Sequence, residues 1–89
     1  TNLIGAQDGI VFEGGSFAVS NMGKIIWQAP SFQEDYLLIP PESENAEITY
    51  ERISALFNAI ILGLRDYFRK NGFNKTVIGI SGGIDSAII

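Results

Sequence analysis

The chain has 89 residues, of which 46% are apolar, 18% charged and 11% aromatic. That composition describes a small globular unit or part of a larger one and excludes a disordered tract. Cysteine and histidine are both absent, which excludes disulfides, thiolate or imidazole metal sites, a cysteine nucleophile and a Ser-His-Asp triad within this stretch. The net charge of −4 disfavours a broad nucleic-acid surface.

The longest apolar run, residues 59–64, falls far short of the roughly 20 residues a membrane-spanning helix needs. The opening residues lack the basic-then-apolar order of a signal peptide. The chain opens on Thr1 and stops at Ile88-Ile89 inside an apolar run without a cap. The expectation is a window from a longer protein. Charge is uneven: one lysine against seven acids in residues 1–50, five basic residues against three acids in residues 51–89. Composition shifts at the same place, which points to a domain boundary near residues 30–47.

In chain order, Asp8-Gly9 is a turn signal followed by the apolar triplet Ile10-Val11-Phe12, and Gly14-Gly15 breaks that run. Residues 16–20 alternate, with Phe17 and Val19 on one face. Asn21-Met22-Gly23 turns the chain, and residues 24–28 return with Ile25 and Trp27 on one face. The pattern predicts an antiparallel hairpin at a sheet edge, with Trp27 packing across the strands.

Ala29-Pro30 ends that strand. Residues 31–47 contain Pro40-Pro41 and then Glu42, Glu44 and Glu47, the composition of a solvated interdomain linker. Phe32, Tyr36, Leu37, Leu38 and Ile39 predict that its first half lies against a surface.

Ile53, Leu56, Phe57, Ile60, Ile61, Leu64, Tyr67 and Phe68 then recur at helical spacing, and this stripe reads as core packing. The helix starts near residues 47–50 and ends at Asn71-Gly72, with Arg69 and Lys70 suiting the carbonyl end of the dipole. Arg65, Arg69 and Lys70 read as a solvated helix face, and Phe73 can fold back onto the helix. Residues 76–80 (TVIGI) read as a short buried strand of a parallel sheet, residues 81–83 as a loop, and residues 85–89 as the opening of a second helix. Helix, strand, Gly-rich loop and helix together open a doubly wound α/β domain.

Ser81-Gly82-Gly83-Ile84-Asp85-Ser86 carries the chemistry. A loop at the carboxyl end of a parallel strand, leading into a helix, aims backbone N–H groups at one spot. Two glycines let the backbone approach a bulky anion, and Ser81 and Ser86 add hydroxyl donors. These make a phosphate cradle. The loop is neither GxxxxGK[ST] nor GxGxxG. Asp85 stands where the anion would lie, and a carboxylate beside phosphate is repulsive unless a cation intervenes. Magnesium bridging Asp85 and phosphate oxygens resolves this. Taken alone, Asp85 and Ser86 read as helix caps; with Ser81-Gly82-Gly83 before them they read as a phosphate and metal site.

SGGIDS resembles the SGGxDS signature of the PP-loop ATP pyrophosphatases, which cut ATP between the α- and β-phosphates and adenylate a substrate oxygen. The flanking residues, 63–67 (GLRDY), 70–73 (KNGF) and 77–80 (VIGI), resemble the synthetase domain of the glutamine-dependent NAD synthetases. Residues 2–8 (NLIGAQD) and 11–17 (VFEGGSF) resemble the end of the nitrilase-type glutaminase domain in that family. Two departures are visible: Ala6 replaces a second glycine, and Glu13 stands in place of an aspartate.

The resemblance implies the C-terminal part of a nitrilase-like α-β-β-α sandwich in residues 1–30, a linker in 31–47 and the start of a Rossmann-like PP-loop domain in 48–89. It implies that ATP adenylates nicotinic acid adenine dinucleotide and that glutamine-derived ammonia displaces AMP, giving NAD, AMP and pyrophosphate. Ser81, Gly82, Gly83 and Ser86 would bind the phosphates of ATP, later pyrophosphate, and Asp85 would ligate Mg²⁺. The glutaminase Cys-Glu-Lys set would lie upstream of Thr1, and Glu13 is not a member of it.

Partners are then small molecules, with neither nucleic acid nor membrane, in a cytoplasmic enzyme expected to be a homo-oligomer. The alternatives are another PP-loop amidotransferase of the GMP or asparagine synthetase type, an ammonia-only NAD synthetase, and a catalytically silent nucleotide-binding protein. Residues 2–17 do not resemble the glutaminase domain of either other amidotransferase, and the strand-rich segment before Pro40 argues against the ammonia-only enzyme.

Overall fold

A computed structural model describes residues 1–40, 46 and 48–89. Pro41, Glu42, Glu44 and Glu47 of the expected linker lie outside the described residues. The chain mixes strand and helix, consistent with the α/β expectation. Strands β1 (Ile4–Gln7) and β2 (Ile10–Glu13) form one antiparallel hairpin. Strands β3 (Phe17–Val19) and β4 (Ile25–Gln28) form a second. Helix α1 spans Arg52–Asn71 and α2 spans Ile84–Ile88.

Asp8-Gly9 is the two-residue turn of the first hairpin, and Asp8 takes φ 53° there, a left-handed conformation that aspartate tolerates better than most side chains. β1, which precedes this turn, has no strand signal in the sequence: Ile4-Gly5-Ala6-Gln7 lacks alternation and carries a glycine. Its register is Ile4 opposite Glu13, Gly5 opposite Phe12, Ala6 opposite Val11 and Gln7 opposite Ile10. The Asn2 side chain secures the open end by donating to the Gly14 carbonyl at 2.6 Å, while its backbone N–H donates to Ser16 Oγ at 2.7 Å.

The second hairpin forms where the alternation predicts it. Phe17 faces Gln28, Ala18 faces Trp27, and a bulge between Ala18 and Val19 then pairs Val19 with Ile25. Trp27 is half-buried and lies across the strands from Ala18. Gly23, at φ 78°, closes the turn. Of the apolar residues expected to rest on a surface, Phe32 and Ile39 are half-buried, whereas Tyr36, Leu37 and Leu38 are exposed.

Helix α1 starts later than the periodicity suggested, because Glu51 caps it. The Glu51 carboxylate accepts from the N–H of Ser54 at 2.6 Å and of Ile53 at 3.2 Å, which satisfies two of the donors that a helix start leaves unpaired. The helix ends as expected. Gly72 takes φ 70°, its N–H donates to the Arg69 carbonyl and that of Phe73 to the Phe68 carbonyl. This is a Schellman closure, whose left-handed residue favours glycine. Phe73 folds back, and its ring lies 6.0 Å from those of both Phe68 and Tyr67.

The face that α1 packs onto the first hairpin is not the one the apolar stripe predicts. Ala55, Ala59, Leu62, Gly63 and Asp66 line the packed side. Ile53, Leu56, Phe57, Ile60, Ile61, Leu64 and Tyr67 lie on the opposite side and are exposed; only Phe68 of that stripe is half-buried. The physical reason is close approach: a Cβ on Gly63 would lie 3.5 Å from the Val11 side chain, so small residues let the helix sit low on the strands.

Residues 76–80 also depart from expectation. They form no strand and are exposed, Val77 at 98%. A single apolar segment has no ladder to join, since no neighbouring strand runs alongside it among the described residues. No helix among the described residues is long and apolar enough to cross a membrane.

The buried set is small. Ala29 and Leu62 are the buried apolar residues among those described, and Asp66 is the buried charged one. The radius of gyration is 17.3 Å, against about 12 Å for a compact domain of this length. These 89 residues taken alone are therefore expected to show no cooperative thermal unfolding transition by circular dichroism; a sharp two-state melt overturns that.

Glu51 generates a second prediction. The Ser54 hydroxyl, then the Ser54 and Ile53 N–H groups, hold its carboxyl below its ordinary pKa. A carboxyl depressed in the folded state stabilises the helix above the unfolded pKa, and that support is lost as pH falls through the folded pKa. In an amidated peptide of residues 48–75 carrying Asp66→Asn, helicity should fall as pH drops through the acidic carboxylate range. The same peptide with Glu51→Gln should be flat over that interval, and equal titration of the two sinks the assignment.

Candidate phosphate-binding loop

The loop at residues 81–86 is short, exposed and held by its own hydroxyls. Ser81 Oγ and Ser86 Oγ are 3.0 Å apart. The Ser81 N–H donates to Ser86 Oγ at 3.2 Å, and Ser86 Oγ donates to the Gly83 carbonyl at 2.9 Å. The Gly83 N–H lies 3.4 Å from Ser81 Oγ and donates to it. The two serines thus staple the loop across its base, a role the sequence did not reveal.

The two glycines serve different ends. Gly82 takes φ 87°, a conformation that costs an ordinary L-residue about 1 kcal/mol or more, so glycine is required there by backbone geometry alone. Gly83 has φ −84° and ψ 157°, open to any residue. A Cβ at Gly83 would meet only Ser81 Oγ, at an ordinary 3.6 Å. Neither conformation nor crowding within the chain requires glycine at that position.

Asp85 stands in the first turn of α2. Both ion pairs found among the described residues involve Asp66, so Asp85 forms none. Gly83 supplies no side-chain cap, and the first N–H groups of a helix have no partner within it. The helix is five residues long, so its dipole adds little, and the local N–H and hydroxyl groups carry the electrostatics.

No group of three or more acidic side chains converges to hold a metal ion among the described residues. A lone carboxylate nonetheless suits magnesium, which keeps several waters and is commonly held by one or two carboxylates together with substrate phosphates. Asp85 with phosphate oxygens fits that pattern.

The structure brings Ser81, Gly83 and Ser86 into one hydrogen-bonded unit, with Asp85 next to it in sequence. Arg69 and Lys70 of α1 are engaged elsewhere: Arg69 lies 2.9 Å from Asp66 Oδ1 and Lys70 3.9 Å from Asp66 Oδ2. A separate cavity of about 440 Å³ opens between β2 and the start of α1, lined by Phe12, Phe32, Tyr50 and Leu56 among others, and shares no residue with the loop.

The SGGIDS turn, with Gly82 in the left-handed region, leads directly into α2. Residues 56–89 match the NAD synthase family. Across 99% of its length the chain is 41% identical to a glutamine-dependent NAD(+) synthetase of Synechocystis sp.. It is 33% identical across 98% of its length to the enzyme of that name from Acinetobacter baylyi, and 32% identical across 99% to that from Aquifex aeolicus. The chain is a relative of the glutamine-dependent NAD(+) synthetases along nearly its whole length, hairpins included, and spans 17–22% of the length of these proteins.

The glycine contrast yields a prediction. Gly82→Ala should loosen the loop, speeding amide exchange at Ser81 and Gly83 by about fivefold or more, as expected for roughly 1 kcal/mol of strain. Gly83→Ala should leave that exchange unchanged in the absence of ligand. Equal effects of the two substitutions would contradict the division of roles.

Proposed function

We propose that this chain is the domain-junction segment of a glutamine-dependent NAD synthetase. Residues 1–30 would close a nitrilase-like sandwich, residues 31–47 would link the halves, and residues 48–89 would open a doubly wound, Rossmann-like domain. The observation that carries the reading is the SGGIDS loop in a chain whose similarity to these enzymes runs on through both hairpins. A synthetase lacking a glutaminase half leaves the N-terminal similarity without a purpose. The GMP and asparagine synthetase readings do not account for it either. The exposed stripe on α1 and the exposed segment 76–80 suit a domain whose remaining strands and helices cover them.

The chemistry follows from the electrophile. A carboxylate resists attack because its oxide is a poor leaving group. Adenylation of the nicotinate carboxylate of nicotinic acid adenine dinucleotide by ATP turns that oxygen into part of AMP, a far better one, and releases pyrophosphate. Ammonia then attacks the mixed anhydride, giving the amide of NAD and free AMP. Glutamine hydrolysed in the other half would supply the ammonia.

In this chain Ser81, Gly83 and Ser86 would bind the phosphates of ATP, with Gly82 setting the turn. Asp85 would hold magnesium, which neutralises charge on the departing pyrophosphate. Gly83 gains its reason here: with no Cβ it leaves room for a phosphate against the backbone. Small-molecule substrates in a cytoplasmic, homo-oligomeric enzyme complete the reading.

The full-length protein given Mg-ATP and nicotinic acid adenine dinucleotide should form NAD with stoichiometric AMP from either glutamine or ammonia. Absence of AMP with both nitrogen sources overturns the assignment. Gly83→Ala should raise KM for ATP by about tenfold, the equivalent of roughly 1.4 kcal/mol. Asp85→Asn should lower kcat/KM by about a hundredfold or more, with partial recovery at high magnesium. Unchanged kinetics in both variants would remove the loop from the site.

A further inference from the structure

The seam between α1 and the first hairpin is built on a device that its small-residue composition does not announce. In a hairpin with a two-residue turn the closing pair, Gln7 with Ile10, is the hydrogen-bonded kind, so the next pair, Ala6 with Val11, is not. The N–H and C=O of Ala6 therefore point away from β2, toward the open edge of β1. Both are taken by side chains of α1. The Ala6 N–H donates to Asp66 Oδ2 at 2.8 Å, and Lys70 Nζ donates to the Ala6 carbonyl.

Asp66 and Lys70, one helical turn apart, thus supply the acceptor and the donor that a third strand would bring to this edge. Gly5, at φ 144°, makes the approach possible, since a Cβ there would lie 3.2 Å from Asp66 Oδ2. Asp66 is 4% exposed. Its charge is matched by Arg69 at 2.9 Å on the other oxygen and by Lys70. The Ala6 N–H does most to hold its carboxyl below the ordinary pKa; burial acts in the opposite sense, and Arg69, Lys70 and Arg65 reinforce the lowering.

A seam of Ala55, Ala59 and Gly63 alone would let a helix slide or rotate on the strands, because small apolar contacts are not directional. A buried carboxylate hydrogen-bonded to one peptide fixes a single register, because any slip strands the charge without its donor.

We propose that Asp66 and Lys70 are positioning residues that lock α1 to the edge of the first hairpin and so couple glutamine hydrolysis on one side of the junction to ATP-dependent amidation on the other. This rests on the domain division and activity proposed above. The hairpin belongs to the glutaminase side, and α1 leads directly through Gly72 into the segment that ends in the SGGIDS loop. The clamp therefore joins the two halves by contact as well as by the linker. The contacts of both residues run to Ala6, to each other and, for Asp66, to Arg69, away from the loop.

The experiment measures glutamine consumed per NAD formed in the full-length protein, beside NAD formation from ammonia. In Asp66→Asn and in Lys70→Met, glutamine consumed per NAD should rise by at least about threefold, the loss of one charge-assisted hydrogen bond being ample to shift the locked seam that far. NAD formation from ammonia should keep its kcat and its KM for ATP. Lys70→Arg, which retains a cationic donor, should restore the wild-type ratio.

Wild-type stoichiometry in both variants overturns the inference, as does a parallel fall of ammonia-driven and glutamine-driven synthesis, which would make the clamp a fold support only. A wild-type protein that forms no NAD from ammonia overturns the functional reading itself. That result is distinct from a wild type active with both nitrogen sources whose variants stay coupled, which removes this inference alone.

Discussion

A buried carboxylate needs its donors assembled around it, and in this protein that requirement organises the contact between helix and strands. Asp66 takes the N–H of Ala6 and the guanidinium of Arg69, with Lys70 reaching past it to the Ala6 carbonyl. Everything on the packed side of α1 conforms to this. Gly5 removes the Cβ that would crowd the carboxylate, and Gly63 lets the helix settle against Val11. Ala55 and Ala59 keep the rest of that face low. Leu62 adds a buried apolar side chain to the seam. The hydrophobic contribution of such a face is small, so the polar clamp decides orientation and the apolar contacts follow it.

The parts whose geometry is dictated locally are legible in the sequence. Asp8-Gly9 announces a turn by its own conformational tolerance, Asn71-Gly72 a helix stop, and the alternation of residues 16–20 and 24–28 a hairpin. Phe73 after Gly72 packs back because the Schellman closure aims it there. The parts where the structure differs depend on what lies across a gap. A period of 3.6 identifies the apolar stripe from Ile53 to Phe68 but does not say what covers it, and the described residues cover the other face instead. Residues 76–80 have the composition of a buried strand, yet a strand is a relation between segments, and no partner runs beside them. β1 carries little sequence signal because Gly5 and Ala6 dilute its pattern. Those two residues are where the helix clamps the strand, so the signal was weak for the same reason the contact is close.

The SGGIDS loop was legible to a different degree. Its order of residues carries the resemblance to NAD synthetases, and residues 56–89 match the NAD synthase family. The division of labour within it was not legible. Both glycines look alike in sequence, but one is explained by φ 87° and the other by nothing inside the chain. Both serines looked like ligand donors, and both also brace the loop. A hydroxyl that spans the loop in this way can exchange an internal partner for a phosphate oxygen at little cost, since one hydrogen bond replaces another.

The departure at Ala6 tests how far the clamp depends on sequence. The resemblance to the family leads one to expect glycine there, yet Asp66 and Lys70 reach only the backbone of that residue. A methyl group is tolerated because an alternating strand sends it off the hydrogen-bonding edge. At Gly5 the geometry is different: φ 144° and the carboxylate at 3.2 Å bar a side chain. Substitution can therefore drift at one of two adjacent positions and not at the other, and the difference lies in which one stands under Asp66. A recognition mode that reads peptide groups constrains shape more than identity, so the register of α1 on β1 depends on the backbone at Ala6 and not on its side chain.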